Sequence, residues 1–285
     1  MSVRGPHVAD CAGWYYDTCG SGLRPCRRHG SAGQDERHTR LGGLEHREGC
    51  DRLKKLLVAA AVVLSALLAV PLVAQATTLP ATYRGHTIEG VKTTKKVVAF
   101  DFDDGPIDSK QIIDVMQKGG AQPTFFWVGS RITSGAADYA VKHHVEINSH
   151  SYQHKLLPPM NAVAMRSQIA SADERIEHFT GKKPLWFRAP FNSVSWSLLN
   201  LLADTGHLYA HQYLMTRDYD PHVSVAKLVK IFDKPKPGAI YLFHEGEASS
   251  LKALPTILKH LRAKGFRVVS NTELLKYGPP VDKLR

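Results

Sequence analysis

Four short stretches concentrate the side chains able to hold a cation or move a proton: Asp101-Phe-Asp-Asp-Gly-Pro106, His150-Ser-Tyr-Gln-His154, Arg188-Ala-Pro190 and Leu242-Phe-His244. The adjacent carboxylates of Asp103 and Asp104 repel one another unless a cation or a shared proton offsets the charge. A turn at Gly105-Pro106 is expected to break the chain there and let both acids face one pocket. His150 and His154 offer neutral imidazoles at a spacing that suits one helical turn or a loop folding back. With a carboxylate they form a His-His-Asp set that leaves positions open for water and substrate. The chemistry of such a set is hydrolysis, because a bound cation lowers the pKa of a water molecule towards neutrality. Arg188 is placed to neutralise the carboxylate that the cation does not use. His244 emerges from the apolar run Ile240-Tyr-Leu-Phe243 towards the same place. Each feature alone also has a bland reading, as solvated turn acids, surface or core histidines, and a surface arginine; their joint occurrence favours the site.

The elements that position these groups alternate. Short apolar runs predict strands at Val97–Phe102, Pro123–Val128, Glu146–Ser149, Leu185–Arg188, Leu208–Gln212, Ala239–Phe243 and Phe266–Val269. Between them, apolar residues at three- and four-residue spacing predict helices at Ser109–Lys118, Ala136–His144, Ala162–Phe179, Ser195–Thr205, Val225–Phe232 and Leu251–Lys264. Alternation of this kind describes an α/β fold with a parallel sheet, closed as a barrel or open and doubly wound. Either form carries its active site at the carboxyl ends of the strands, where the four stretches fall.

The chain has 285 residues, 43% hydrophobic and 22% charged, which excludes a disordered or collagen-like polymer. Its formal net charge of +11 points to an anionic partner, whether nucleic acid, membrane surface or acidic cell-wall polymer. No zinc-finger or helix-turn-helix pattern accompanies the charge, so nucleic acid is not expected. All four cysteines (Cys11, Cys19, Cys26, Cys50) precede the main domain and lack the paired knuckles of a zinc ribbon. Leu56–Ala74 is uncharged, follows Arg52, Lys54 and Lys55, and leads into Ala74-Gln75-Ala76, the pattern of an export signal. Cleavage after Ala76 gives a secreted product; retention of residues 56–74 gives a membrane anchor. The expected organisation is an N-terminal extension at 1–52, disordered or upstream of the true start, a signal peptide or anchor at 53–76, a linker at 77–95, and one catalytic domain at 96–280.

From about Lys96 to Tyr277 the chain resembles the polysaccharide deacetylases of carbohydrate esterase family four, which share the NodB homology domain. The family's T-F-D-D-G-P, H-[ST]-x-x-H, R-x-P and L-x-H motifs correspond, in order, to the four stretches above, and Asp218-Tyr219 resembles a further one. The resemblance implies a distorted (β/α) barrel of about seven parallel strands and a metal-dependent hydrolase. Its reaction would remove N-acetyl, sometimes O-acetyl, groups from an extracytoplasmic glycan such as peptidoglycan or a chitin-like polymer. It assigns Asp104, His150 and His154 to the metal, usually zinc, with cobalt as another divalent candidate. Asp103 becomes the general base, the backbone N–H of Phe191 an oxyanion donor, His244 the general acid, and Asp218 the group that raises its pKa. Leu242 and Tyr219 would line the acetyl-methyl pocket.

Three departures matter. Asp101 replaces the family threonine, adding a third acid expected to cap or brace the strand end. Asn192 stands where glycine or a small residue is common, and asparagine tolerates a left-handed backbone. Tyr219 replaces a tryptophan, which leaves Asp220 as a competitor to Asp218. Two alternatives belong to other classes. Asp101-Phe-Asp103 also resembles the opening of haloacid-dehalogenase-type phosphatases, with Asp101 as nucleophile, Asp103 as acid and magnesium as cofactor. A glycan-binding relative that keeps the fold without turnover is the other.

Overall fold

A computed structural model describes residues 83–284; the extension at 1–52, the segment at 53–76 and residues 77–82 of the expected linker lie outside the described residues. In chain order the strands are β1 (Thr87–Ile88), β2 (Gly90–Val91), β3 (Val97–Gly105), β4 (Thr124–Trp127), β5 (Glu146–Ser149), β6 (Trp186–Phe187), β7 (Leu208–Ala210), β8 (Leu214–Met215), β9 (Ile240–His244), β10 (Arg267–Val269) and β11 (Pro280–Val281). The helices are α1 (Ser109–Lys118), α2 (Ser134–Lys142), α3 (Ala162–Thr180), α4 (Trp196–Thr205), α5 (Val225–Ile231), α6 (Ala248–Ala263) and α7 (Asn271–Leu274). A nine-stranded sheet runs β1-β7-β6-β5-β4-β3-β9-β8, with β10 beside the start of β3. Every pairing in it is parallel. The expected strands and helices are all present, and the sheet curls into the distorted barrel.

Residues 87–91 correct the linker assignment. Thr87–Ile88 pairs with Tyr209–Ala210, and the next residues cross to β9: the Ile240 N–H donates to the Glu89 carbonyl (3.1 Å) and the Val91 N–H to that of Gly238 (2.9 Å). This segment thereby fills the gap between β7 and β9. Ile88 and Val91 are buried. Two-residue strands have no readable period, which hid them in the sequence.

Helix boundaries follow capping chemistry. The side chains of Thr133, Asn161, Ser195, Ser224 and Ser270 accept hydrogen bonds from N–H groups in the first turns of α2, α3, α4, α5 and α7. Gly181 and Gly206 end α3 and α4 in the left-handed conformation.

Along β3 the pleat sorts the chain between two cores. Val98, Phe100 and Phe102 pack outward against Ile112, Ile113 and Met116 of α1 and Leu254, Ile257 and Leu258 of α6. Val97 and Ala99 point into the barrel with Phe126, Trp186 and Ile240. Asp101 and Asp103 continue that inner row, so the interior changes from apolar to ionic as the strand rises to its carboxyl end.

Candidate active site

Asp103 and Asp104 reach the same place through a β-bulge. Strand β3 continues through Gly105, contrary to the expected break, and its register with β4 shifts between Asp103 and Gly105. Asp104 is the extra residue and has a left-handed backbone (φ 73°), which turns its side chain back towards the barrel mouth. Gly105 is required because a Cβ there would lie 1.8 Å from Oε1 of Glu245. Glu245, 3% exposed, accepts hydrogen bonds from the Ile107 N–H (2.9 Å), Ser109 Oγ (2.6 Å) and Trp127 Nε1 (2.8 Å). Burial pushes its carboxyl up to about 7 against the pull of those donors. Glu245→Gln places an NH2 where a donor needs an acceptor. We expect it to lower unfolding stability by about 1–3 kcal/mol in denaturant titration; a wild-type midpoint would contradict the clamp.

His150 and His154 sit on a loop that folds back, not on a helical turn. Ser151 (φ 64°) and His154 (φ 55°) are left-handed, and the His154 N–H donates to Ser151 Oγ at 3.1 Å. Their Nε2 atoms lie 3.5 Å (His150) and 2.9 Å (His154) from Asp104 Oδ1. These three residues form the group among the described residues whose ligand atoms could share a metal ion, all lying within 4.8 Å of one another. The donor set fits a cation. His150 Nδ1 lies 2.9 Å from the Arg188 carbonyl, which can only accept, so the proton sits on Nδ1 and the Nε2 lone pair faces Asp104. Asp104 Oδ1 is buried and has no hydrogen-bond donor. Burial opposes ionisation of Asp104; hydrogen bonds and positive charge from His150 and His154, when those rings are protonated, lower its pKa, and a cation in their place would favour the carboxylate in the same way.

Arg188 is fully buried, against the reading of a surface arginine. Its Nη1 donates to Asp103 Oδ1 (3.2 Å), its Nη2 to Asp101 Oδ2 (2.5 Å), and its Nε to the Ala210 carbonyl (3.2 Å). The guanidinium also lies 4.6 Å from the centre of the Phe126 ring. Asp103 thus has one oxygen fixed, while Oδ2 faces His150 Nε2 at 3.9 Å. Asp101 braces this arginine inside the barrel and takes a further bond from Asn271 Nδ2 (3.1 Å). Burial pushes the Asp101 carboxyl up to about 7, with Arg188 pulling the other way. Asp101 is 0% exposed, so no substrate phosphorus can reach it, and the phosphatase reading with Asp101 as nucleophile and magnesium as cofactor is set aside.

His244 lies opposite Asp103 in the register of β3 and β9. Its Nδ1 lies 2.7 Å from Asp218 Oδ1, and Asp218 Oδ2 accepts from the His244 N–H (2.9 Å) and Ser250 Oγ (2.5 Å). That selects Asp218 over Asp220, which instead caps the His222 N–H and pairs with Arg217. Burial disfavours the imidazolium, but the hydrogen bond to Asp218 and the charges of Asp103, Asp218 and Asp104 outweigh it, and the His244 pKa is raised. A general acid must be protonated, so Asp218→Asn is expected to move the alkaline limb of the kcat–pH profile to lower pH. An unmoved limb would contradict the pairing.

Phe191 and Asn192 are both left-handed (φ 58° and 54°), so the chain makes the turn with asparagine where a small residue is usual. The exposed Phe191 ring packs edge-on against His154 at 4.7 Å between centres. Leu242 is buried on the same alternation of β9 as His244. Tyr219 is half-exposed and sets its ring perpendicular to His244 at 5.1 Å. Sequence reasoning missed Glu245, Ser250 and Asn271; only Glu245 left a signal, as an acid directly after His244 at the end of an apolar strand.

A candidate cation site, an arginine-held acid and a histidine–aspartate pair lie together on one rim of the α/β barrel. Residues 90–210 match the family model for polysaccharide deacetylase. It is 31% identical over 189 residues to a bifunctional xylanase/deacetylase of Pseudobutyrivibrio xylanivorans, covering 64% of this chain and 31% of that one. It is 26% identical over 205 residues to a peptidoglycan-N-acetylglucosamine deacetylase of Bacillus cereus, covering 68% and 94%. The chain therefore spans under a third of the first relative and nearly all of the second. Among solved structures it is similar to a CE4 family pseudoenzyme from Bacillus anthracis (TM-score 0.63, 25% identity, 68% and 70% covered). It is also similar to the CE4 domain of a xylanase from the hindgut metagenome of Trinervitermes trinervoides (TM-score 0.58, 26% identity, 64% and 91% covered). A pseudoenzyme among the neighbours means that the fold alone does not decide turnover.

Proposed function

We propose that this chain is a metal-dependent deacetylase that hydrolyses N-acetyl groups on an extracytoplasmic glycan of the peptidoglycan or chitin-like class. The observation that carries the reading is the placement of Asp103 and His244 as register partners on adjacent strands, beside the Asp104–His150–His154 cluster. A divalent cation of the zinc or cobalt type, held by those three residues, would supply Lewis acidity to a water molecule and to the acetyl carbonyl. Asp103, oriented by Arg188, takes the proton from the attacking water through Oδ2. The Phe191 N–H stabilises the oxyanion that forms on the former carbonyl. His244, steadied by Asp218, gives its proton to the departing amine. Leu242 and Tyr219 line the space taken by the acetyl methyl. The presence of base, acid and ligand groups together supports turnover over a purely glycan-binding role. The signal-like segment at 56–74 supports action outside the cytoplasm, secreted or anchored.

Acetate release by the full chain from peptidoglycan, chitin oligomers and acetylated xylan tests the reading. Release from an N-acetylated glycan is expected, lost with a chelator and restored by zinc or cobalt. Phosphate but no acetate release, or acetate release unaffected by verified metal removal, would overturn it.

A further inference from the structure

The turn that carries the Phe191 N–H is held from outside by Asn192, His211 and Glu89, side chains that take no part in the proposed proton transfers. Phe191 and Asn192 are consecutive left-handed residues and neither is glycine, a conformation that persists only where the surrounding structure imposes it. Within the turn the backbone supplies two bonds, from the Asn192 N–H to the Ala189 carbonyl (3.1 Å) and from the Ser193 N–H to that of Pro190 (3.2 Å). Outside it, Asn192 Nδ2 lies 3.3 Å from His211 Nε2, while Asn192 Oδ1 is buried with no hydrogen-bond partner, so this side chain is tethered through Nδ2. His211 Nδ1 lies 3.4 Å from Glu89 Oε1. A carboxylate can only accept, so the ring proton sits on Nδ1 and the Nε2 lone pair accepts from the amide. Burial and the charge of Arg188 favour the neutral ring that this requires, against the pull of Glu89, and the His211 pKa is lowered. Both ends of the tether are anchored. The His211 N–H donates to the Ile88 carbonyl (2.9 Å), its carbonyl accepts from Arg188 Nη2 (3.3 Å), and Glu89 Oε2 accepts from the Leu284 N–H (3.3 Å).

We propose that His211 is a positioning residue for hydrolysis: oriented by Glu89, it ties down Asn192 and so fixes the turn that aims the Phe191 N–H at the oxyanion. The inference rests on the reading of Phe191 as the oxyanion donor. It gives the segment at 87–91 a part in turnover, and it gives asparagine a use where a small residue is usual, since a glycine at 192 would offer nothing to tie. A donor that drifts when the tether is lost weakens the transition state and not the bound ground state, so kcat and kcat/KM fall together while KM holds. The loss of one uncharged hydrogen bond corresponds to about fivefold to tenfold.

Acetate release and metal content of the full chain, compared among wild type, His211→Leu and His211→Gln, test this together with the Phe191 amide resonance in phenylalanine-labelled protein. His211→Leu is expected to lose about fivefold to tenfold in kcat, with KM and metal content unchanged and the Phe191 amide shifted. His211→Gln, whose Oε1 can accept from Asn192 Nδ2, should recover most of that loss. Wild-type kcat in His211→Leu, a change confined to KM, or a glutamine variant no better than leucine would overturn the proposal. So would a Phe191 amide that stays in place in His211→Leu, whatever the activity. A wild type that releases no acetate would instead overturn the deacetylase reading and with it the role in turnover, and the amide would still report whether the tether exists.

Discussion

An Asp103→Asn enzyme is expected to retain its cation and its fold and to lose about 10²–10⁴-fold in kcat, the usual worth of a positioned general base. The carboxamide can keep the hydrogen bond from Arg188 Nη1 through its oxygen, so the local geometry survives. What vanishes is the Oδ2 lone pair that faces the cluster 3.9 Å from His150. Because Asp104 and the two histidines are untouched, metal content should stay at the wild-type level. The measurement is steady-state acetate release together with metal analysis of the same preparation. Near-normal kcat would refute the assignment of the base.

Arg188→Met is expected to cost about 3–5 kcal/mol of unfolding stability, because it leaves two buried carboxyls without their cation. Asp101 and Asp103 are 0% and 3% exposed, and water cannot replace the guanidinium. Methionine keeps much of the volume and the contact with Phe126, so the loss isolates charge and hydrogen bonding from packing. Arg188→Lys restores the charge but not the fork that reaches Asp101, Asp103 and the Ala210 carbonyl together, and it should recover only part of the loss. Chemical denaturation of the three proteins checks this. A methionine variant within 1 kcal/mol of wild type would show that the carboxyls are neutral and need no partner, the ~1 kcal/mol bound being the usual scale of a single uncharged hydrogen bond.

The sheet and the rim were legible from the sequence because both rest on strong local signals. Runs such as Ile240-Tyr-Leu-Phe243 are too short for helices, and the ionisable residues sit where those runs end. What escaped depends on long-range closure. Thr87–Val91 reads as linker because its strand pairing becomes visible only once β7 and β9 are in place. The common direction of Asp103 and Asp104 was foreseen but given the wrong cause: a bulge at left-handed Asp104, not the Gly105-Pro106 turn, produces it. Arg188 was expected beside the carboxylate the cation does not use and Asp101 as a brace of the strand end, but only the barrel's inner face shows that the two are buried against each other. Ser250 and Asn271 carried no signal, since a hydroxyl or amide that steadies a carboxylate from another element has no local pattern.

Binding of cobalt to the full chain with its cysteines blocked, followed by absorption spectroscopy in the wild type, Asp103→Asn and His150→Ala, tests the shared cation site most directly. One equivalent, bound by nitrogen and oxygen donors in the first two proteins and lost in His150→Ala, is the expected result. Wild-type binding by His150→Ala, or loss of binding in Asp103→Asn alone, would contradict it.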